Sequence, residues 1–288
     1  MLTRIGILCM RVMAPLPLPL LRGIGAVLGL LLYLLAVPRR RVTSANLKLC
    51  FPHLSMARRQ MLALRVFVRF AQAWLDRSWL WHGDPACALR RLRITGAVDE
   101  LSGNWPLVLF APHFVGLDAG WTALNLQGRR SFSSIYTRQR NRVVDQWIHQ
   151  GRRRFGAPLL FERREGAKTI VSSLRRGQAL YLLPDMNFGP QESVFVPFYG
   201  VATATLTSLA RFARLGQARV VPAVCRMTRS GYTVHIHPAW ADFPSADLIA
   251  DTARMNRHLQ DYIDTMPEQY YWVHRRFKTR PPGAPSVY

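Results

Sequence analysis

From Leu89 onward, short apolar runs alternate with stretches of helical pattern, and this alternation is the strongest constraint on what the chain can fold into. The runs LRRLRIT, PLVLFAP, SFSSIY, ALYLLP, RVVPAVC and YTVHIHP have the length and composition of strands. Helical pattern lies between them, near Gly116 to Leu126, Asn141 to Phe155, Gly166 to Arg176, Thr203 to Leu215 and Asp251 to Thr265. Strands joined through helices run parallel, because a crossover returns the chain to the same end of the sheet. The expected fold class is an α/β sandwich with a largely parallel central sheet. The tail RPPGAPSVY is too rich in proline for regular structure and reads as loop.

Ahead of this region stands a different kind of sequence. From Gly23 to Val37 the chain reads GIGAVLGLLLYLLAV without a charge, and apolar character reaches back to Val12 across Arg22 and several prolines. Fifteen residues fall short of the roughly 20 that span a bilayer. With the segment before it, the helix can cross at an angle or lie in the interface. The triplet Arg39, Arg40 and Arg41 places the following domain on the cytoplasmic side if the helix spans. No small-x-small cleavage site with a polar start follows, as a secretory signal would require. The expected organisation is a membrane anchor over residues 1–41 and a cytoplasmic-face domain over 42–288. A second basic and apolar segment, Ser55 to Trp81, fits either a helix on the bilayer surface or one that buries a face in the core.

The formal charge is +23, carried by 36 Arg and only 3 Lys, and no Asp or Glu precedes Asp76. Such a chain suits an anionic partner, either lipid headgroups or nucleic acid. The uncharged run beside the arginines selects lipid. Cys9, Cys50, Cys87 and Cys225 show no paired spacing, which fits a reducing compartment and neither a disulfide framework nor a zinc site.

In PLVLFAPHFVGLDAG, His113 and Asp118 stand five residues apart just after an apolar run. Residues i and i+5 of an unbroken helix point roughly 140° apart, so His113 must precede the helix if the two are to share a proton. Pro112 then ends the strand, Gly116 permits the turn, and Asp118 folds back to fix the imidazole tautomer. His113 would act as a base near neutral pH. His237 and Asp242 repeat the spacing, but Pro238 follows directly and no helical pattern begins there, so that pair reads as a strand end entering a loop. Downstream, Tyr136, Arg138, Asn141 and Arg154 fall near the ends of a strand and its helix, where residues of a parallel sheet converge on one crevice. Arg138 and Arg154 are candidates to meet a phosphorylated substrate. Asp185, at the end of ALYLLP, can orient a basic side chain in the same crevice or simply start a turn. There is no Gly-x-Ser-x-Gly elbow, P-loop or Gly-x-Gly-x-x-Gly fingerprint, and His235 and His237 lack a third metal ligand.

Taken in order, these residues resemble the late acyltransferases of lipid A biosynthesis, the lauroyl or myristoyl transferases of Gram-negative inner membranes. The resemblance covers nearly the whole chain: the apolar anchor, His113 and Asp118, the run Tyr136, Arg138 and Asn141, then Arg154 with Gly156, and Asp185. Its most specific part is PEQYYWVHRRFKTRPPG. Met186 and Asn187, where a Gln is common, and Gln260, where a Glu often stands, depart from the pattern. The resemblance implies a glycerolipid-acyltransferase-like sandwich with an N-terminal membrane helix. It implies transfer of a fatty acyl chain from acyl carrier protein to a hydroxyl of an anionic lipid A precursor, at the inner membrane. His113 would be the base, Asp118 its partner, and Arg138 or Arg154 the oxyanion donor, with Asn141 and Asp185 in the substrate site. No cofactor, metal or nucleic acid is implied. The clusters at Arg152 to Arg154, Arg163 with Arg164, and Arg175 with Arg176 are candidate surfaces for the acidic carrier. Two other readings stay open: transfer to a glycerophospholipid or other lipid hydroxyl, and a non-catalytic basic membrane-binding protein.

Overall fold

A computed structural model describes residues 1–128 and 130–288, and all their side chains but those of Leu2 and Arg164. Four helices come first: α1 (Leu2–Met13), α2 (Leu18–Leu35), α3 (Val37–Cys50) and α4 (Met56–His82). They are followed by α5 (Pro85–Arg91), β1 (Leu92–Gly96), β2 (Leu107–Phe110), α6 (Leu117–Gln127), β3 (Phe132–Tyr136), α7 (Arg142–Arg152) and β4 (Leu159–Glu162). The remainder is α8 (Ala167–Arg175), β5 (Ala179–Leu182), a hairpin of β6 (Ser193–Phe198) and β7 (Val201–Leu206), α9 (Ser208–Gly216), β8 (Arg219–Thr228), β9 (Gly231–Ile236) and α10 (Leu248–Asp264).

Seven strands form one sheet in the order β1-β9-β8-β2-β5-β3-β4, parallel throughout except for the β8–β9 pair. The expected largely parallel sandwich is what forms. Every residue of β2 and β5 is buried, as a central strand covered on both faces requires. Because side chains alternate across the sheet, Leu107, Leu109, Ala179 and Tyr181 enter one core with α6. Val108, Phe110, Leu180 and Leu182 enter the other, with α9 and α10.

Three features depart from the expected pattern, the first being that Leu89–Arg91 of the expected first strand end α5, so β1 begins only at Leu92. β4 is an additional strand at the sheet edge, and the segment expected to be helical from Thr203 is strand through Leu206. The cause is the turn at Tyr199 and Gly200, both with left-handed φ (49° and 74°). Such a two-residue turn matches the twist of a hairpin, so Val201–Leu206 pairs back on Ser193–Phe198 and the helix waits until Ser208. His237 follows the last residue of β9 and leads into an irregular segment, as the sequence suggested.

The long helix α4 is a core element. Ser55 caps its start by accepting from the Arg58 amide, and Leu62, Val66, Phe67, Trp79 and Trp81 are buried. The apolar helix α2 is packed along it. A Cβ on Gly29 would lie 2.5 Å from Val68 Cα, and one on Gly25 2.9 Å from Gln72 Cα, so only glycine permits this backbone approach. Arg22 reinforces it from within. Its guanidinium contacts the buried Asp76 carboxylate at 3.1 Å and donates to the Thr228 and Gly231 carbonyls. Asp76, with zero exposure, also accepts from Tyr232 Oη (2.7 Å) and Trp79 Nε1 (2.9 Å). The opposite face of α2, Leu20, Ile24, Val27, Leu31 and Leu34, is exposed. With 18 residues and a mean hydropathy of 2.0, α2 is long and apolar enough to cross a membrane.

Overpacking at the α2–α4 contact is expected to cost about 1–3 kcal/mol in Gly29→Ala. Gly23→Ala, where nothing lies within 4 Å of the added Cβ, should instead be neutral or stabilising by about 0.5–1 kcal/mol. Thermal unfolding of the two purified variants in the same detergent gives the comparison, and equal melting temperatures would contradict the close packing.

Candidate active site

β2 and β5 are parallel neighbours, with Phe110 in register with Leu182. The Ala111 amide donates to the Leu182 carbonyl at 2.9 Å, so both chains leave the sheet side by side. Three residues past that register pair stand His113 and Asp185. The Asp185 carboxylate accepts from His113 Nδ1 (2.8 Å), from the His113 amide (3.0 Å) and from Tyr270 Oη (3.0 Å). Asp185 has zero exposure. Burial alone would raise its pKa, but the charge of His113 and its two hydrogen bonds outweigh that and hold the carboxyl below its usual range. Tyr270 is pushed well above the usual phenol range by burial first and then by Asp185, so it serves as a donor. With Nδ1 committed to the carboxylate, Nε2 is the nitrogen that bears the lone pair whenever the imidazole is neutral. Nε2 has no protein partner among the described residues, and His113, 20% exposed, lines a cavity.

The segment after Met266 holds this geometry in place. Phe114 and Tyr270 form an antiparallel bridge, the Val115 amide donates to the Gln269 carbonyl (2.8 Å), and the Tyr271 amide donates to the His113 carbonyl (3.1 Å). Gln269 is fixed in turn by both its amide ends to the Met227 backbone. Asn46 donates to the Trp272 and His274 carbonyls at 2.7 and 2.8 Å. His274 Nε2 accepts from the Asn187 amide (3.0 Å), and the His274 pKa is driven down to about 4 by burial, with Arg276 and His113 adding to it. Arg276, 2% exposed, donates to the Ala204 carbonyl and Thr205 Oγ1 of β7. The most specific block of the sequence is therefore a clasp around the loops that carry His113 and Asp185.

Asp118 does not orient His113, contrary to the expectation from spacing. Pairing of Phe114 with Tyr270 keeps the chain beyond His113 from folding back, and Asp118, in the first turn of α6, faces α4 and α7. Its Oδ2 accepts from Arg77 Nε at 2.8 Å and its Oδ1 from Arg152 Nε at 2.9 Å. Burial would raise the Asp118 pKa; Arg152 and then Arg77 reverse this and hold it low. The partner of His113 is Asp185, which the sequence offered as a possible orienter without naming its base.

Three other expected site residues stand away from the cavity. Arg154 donates to the Leu80 carbonyl (3.0 Å) and to that of Gly83, closing the end of α4; burial lowers its pKa. Arg138, with a side chain 70% exposed, pairs with Glu162 at 3.1 Å and with Asp145. Asn141 caps α7 by accepting from the Val143 and Val144 amides and donates to Thr3 Oγ1. The arginines that line the cavity are Arg77, Arg152, Arg163 and Arg211. Arg77 belonged to a helix with no local sign of a site, and only the packing of α4 against α6 reveals it.

The cavity has a volume of about 690 Å³. Beyond His113 it is bounded by Ile170, Leu182, Leu206, Phe212 and Leu215, an apolar wall from α8, α9 and the strands between them. Phe70, Trp74 and Tyr271 line it as well, together with Arg77 and Arg152. Met186 lines it, whereas Asn187 joins the clasp through the Arg276 carbonyl and Thr279. Gln260, the other departure from the family pattern, accepts from the Tyr199 amide at 2.6 Å and so supports the hairpin turn. No group of three His, Cys, Asp or Glu side chains is arranged for a metal among the described residues. An imidazole base facing an apolar cavity, with cations beside it, is suited to proton removal from a hydroxyl of an amphipathic anionic substrate.

The profile of the family described as bacterial lipid A biosynthesis acyltransferase matches residues 1–279. The lipid A biosynthesis lauroyltransferase of Escherichia coli (strain K12) is 30% identical over 293 residues, covering 100% of this chain and 94% of that protein. The lipid A biosynthesis myristoyltransferase of the same organism is 32% identical over 254 residues, covering 86% of this chain and 78% of that protein. Its palmitoleoyltransferase is 29% identical over 297 residues, covering 100% and 94%. Among solved structures, the 1-acyl-sn-glycerophosphate acyltransferase PlsC of Thermotoga maritima aligns with a TM-score of 0.37 and 10% identity, over 80% of this chain and 94% of that one. On the full-length match, the chain belongs to the bacterial lipid A biosynthesis acyltransferase family.

Proposed function

We propose that this protein transfers a fatty acyl chain from an acyl carrier protein thioester directly to a hydroxyl of a lipid A precursor, with His113 as general base and Asp185 as its partner. The observation that carries this reading is the His113 imidazole, held through Nδ1 on a buried carboxylate, without a protein partner for Nε2 among the described residues, in the lining of a largely apolar cavity. A thioester is already activated, so no enzyme nucleophile is needed. Nε2 takes the hydroxyl proton as the oxygen attacks the thioester carbonyl. The tetrahedral intermediate then expels the carrier thiolate, which recovers the proton from the imidazolium. The products are an ester and a free thiol. Ionised Asp185 stabilises the imidazolium that exists between these steps.

The charge distribution supports an acidic donor. Of the expected carrier-docking clusters, Arg154 closes α4 and Arg152 faces the cavity, while the side chain of Arg164 lies outside the described ones. Arg163, Arg175 and Arg176 surround α8, whose residues Ala167 and Ile170 line the cavity, so these arginines are the proposed carrier contact.

For the membrane, the proposal is attachment to the cytoplasmic face of the inner membrane through the N-terminal helices. Leu20, Ile24, Val27, Leu31 and Leu34 form one exposed stripe on α2, and Ile5, Leu8 and Val12 form another on α1. Since α2 is bound through Gly25, Gly29 and Arg22 to the catalytic fold, it enters the bilayer interface with that fold attached to it.

Replacement of His113 by Ala is expected to lower transfer from carrier thioester to lipid A precursor by about 10³-fold or more, and Asp185→Asn by about 10²–10⁴-fold. The double variant should be little worse than His113→Ala, because the two act as a unit. Near-normal transfer by purified, folded His113→Ala would refute the base. Separately, Val27→Glu with Leu34→Glu should weaken co-sedimentation with anionic phospholipid vesicles about tenfold or more at unchanged melting temperature. Undiminished sedimentation would remove α2 from the membrane contact.

A further inference from the structure

The segment that follows Asp185 has firm ends and a loose middle. At one end Asn187 is buried in the clasp: its amide donates to His274 Nε2 at 3.0 Å, its Nδ2 donates to the Arg276 carbonyl at 3.2 Å, and its Oδ1 accepts from Thr279 Oγ1 at 2.9 Å. At the other end Ser193 enters β6 and pairs with Leu206 of β7. Between them, Phe188, Pro190, Gln191 and Glu192 are exposed. Of the amides from Phe188 to Glu192, that of Gly189 alone has an acceptor among the described residues, Asn187 Oδ1 at 3.1 Å. Gly189 has a φ of 100°, which favours glycine. A span with so few internal bonds between secured ends opens locally with ease.

One side chain from another part of the fold holds this span down. Arg163 stands on the one-turn helix Arg163–Glu165, which Glu162 and Glu165 close by accepting from each other's amides. Its guanidinium lies 4.2 Å from the centre of the Phe188 ring, and its Nη2 is 3.3 Å from Glu192 Oε2. All three residues line the cavity, yet Phe188 is 49% exposed and the Arg163 and Glu192 side chains are 44% and 62% exposed. Groups that border both the cavity and solvent stand at its mouth, and the latch keeps the Phe188 ring there. An exposed ion pair with a single contact and an exposed cation–π contact are both weak, so competing carboxylates can replace them.

We propose that residues 188–192 form a gate at the mouth of the acyltransferase cavity, latched by Arg163 on Phe188 and Glu192, and that an acidic donor protein opens it by drawing Arg163 onto its own carboxylates. This rests on the proposed reaction for its donor, whose docking face includes Arg163. The protein part of the donor then becomes a condition for entry, because a small neutral thioester carries no group that exchanges with Glu192.

The test uses the purified full chain in detergent with Cys9 and Cys87 replaced by Ser, which leaves the buried Cys50 and Cys225. Transfer to a lipid A precursor is measured from acyl carrier thioester and from acyl-pantetheine, which lacks the protein. Opening is measured separately, as the rate at which a water-soluble maleimide labels the thiol introduced by Ile170→Cys, a buried position in the cavity wall. Glu192→Gln and Phe188→Ala are expected to raise kcat/KM for acyl-pantetheine about tenfold or more and to change it little for the carrier-bound donor. Unacylated carrier should speed labelling about tenfold or more while the latch is intact, and Glu192→Gln should label at the faster rate without carrier. Arg163→Gln should also label faster, with a raised KM for the carrier-bound donor because the docking contact is lost. An unchanged preference for the carrier in both gate variants, or labelling indifferent to Glu192→Gln, would overturn the gate. Faster labelling in Glu192→Gln with no response of the intact latch to carrier would overturn the carrier's part in opening it. Should Phe188→Ala melt early, Glu192→Gln, an isosteric change at an exposed position, decides the question alone. A labelling response without acyl transfer from either donor would leave the gate standing and defeat the proposed reaction instead.

Discussion

The parallel pairing of β2 with β5 sets the rest of the site. Register places Phe110 opposite Leu182, and equal three-residue extensions bring His113 and Asp185 together. A slip of one residue would turn alternate side chains to the other face and separate the pair. The carboxylate is fully buried, a position that would disfavour its charge without the imidazole, the His113 amide and the Tyr270 hydroxyl as donors. The C-terminal clasp supplies the last of these and pins the His113 loop by backbone bonds on both sides of that residue's neighbours. The geometry of the His113–Asp185 pair and the long-range closure of the fold are thus one structure.

The excess of arginine is used internally to a degree that net charge alone conceals. Arg22, Arg130, Arg154 and Arg276 all donate to backbone carbonyls of distant segments. A planar group with five donors can satisfy several carbonyls at once and is less strongly hydrated than an ammonium, so it suits such joints better than lysine. The positive surface left for partners is correspondingly smaller than +23 suggests. Around the cavity it is concentrated on Arg77, Arg152, Arg163 and Arg211.

Much of this fold was legible along the chain because it depends on local rules. Continuous apolar runs gave the central strands, and helical pattern between them gave the parallel connections. The hairpin of β6 and β7 was missed because its register depends on a two-residue left-handed turn at Tyr199, a residue that rarely adopts that conformation. Spacing also misled about Asp118. Five residues are enough to fold back on His113 only if the intervening chain is free, and the bridge from Phe114 to Tyr270 removes that freedom.

By itself the sequence determined the sandwich class, the apolar N-terminal helix, the strand-end position of His113 and Asp185, and through its ordered motifs the family. These follow from periodicity, proline placement and residue chemistry, which act over a few residues at a time. Only the tertiary structure decided which carboxylate pairs with His113 and which arginines meet the cavity, since those pairings span 72, 41 and 34 residues. Contacts at that separation are set by strand register and helix packing, and neither is written in any local stretch of the chain.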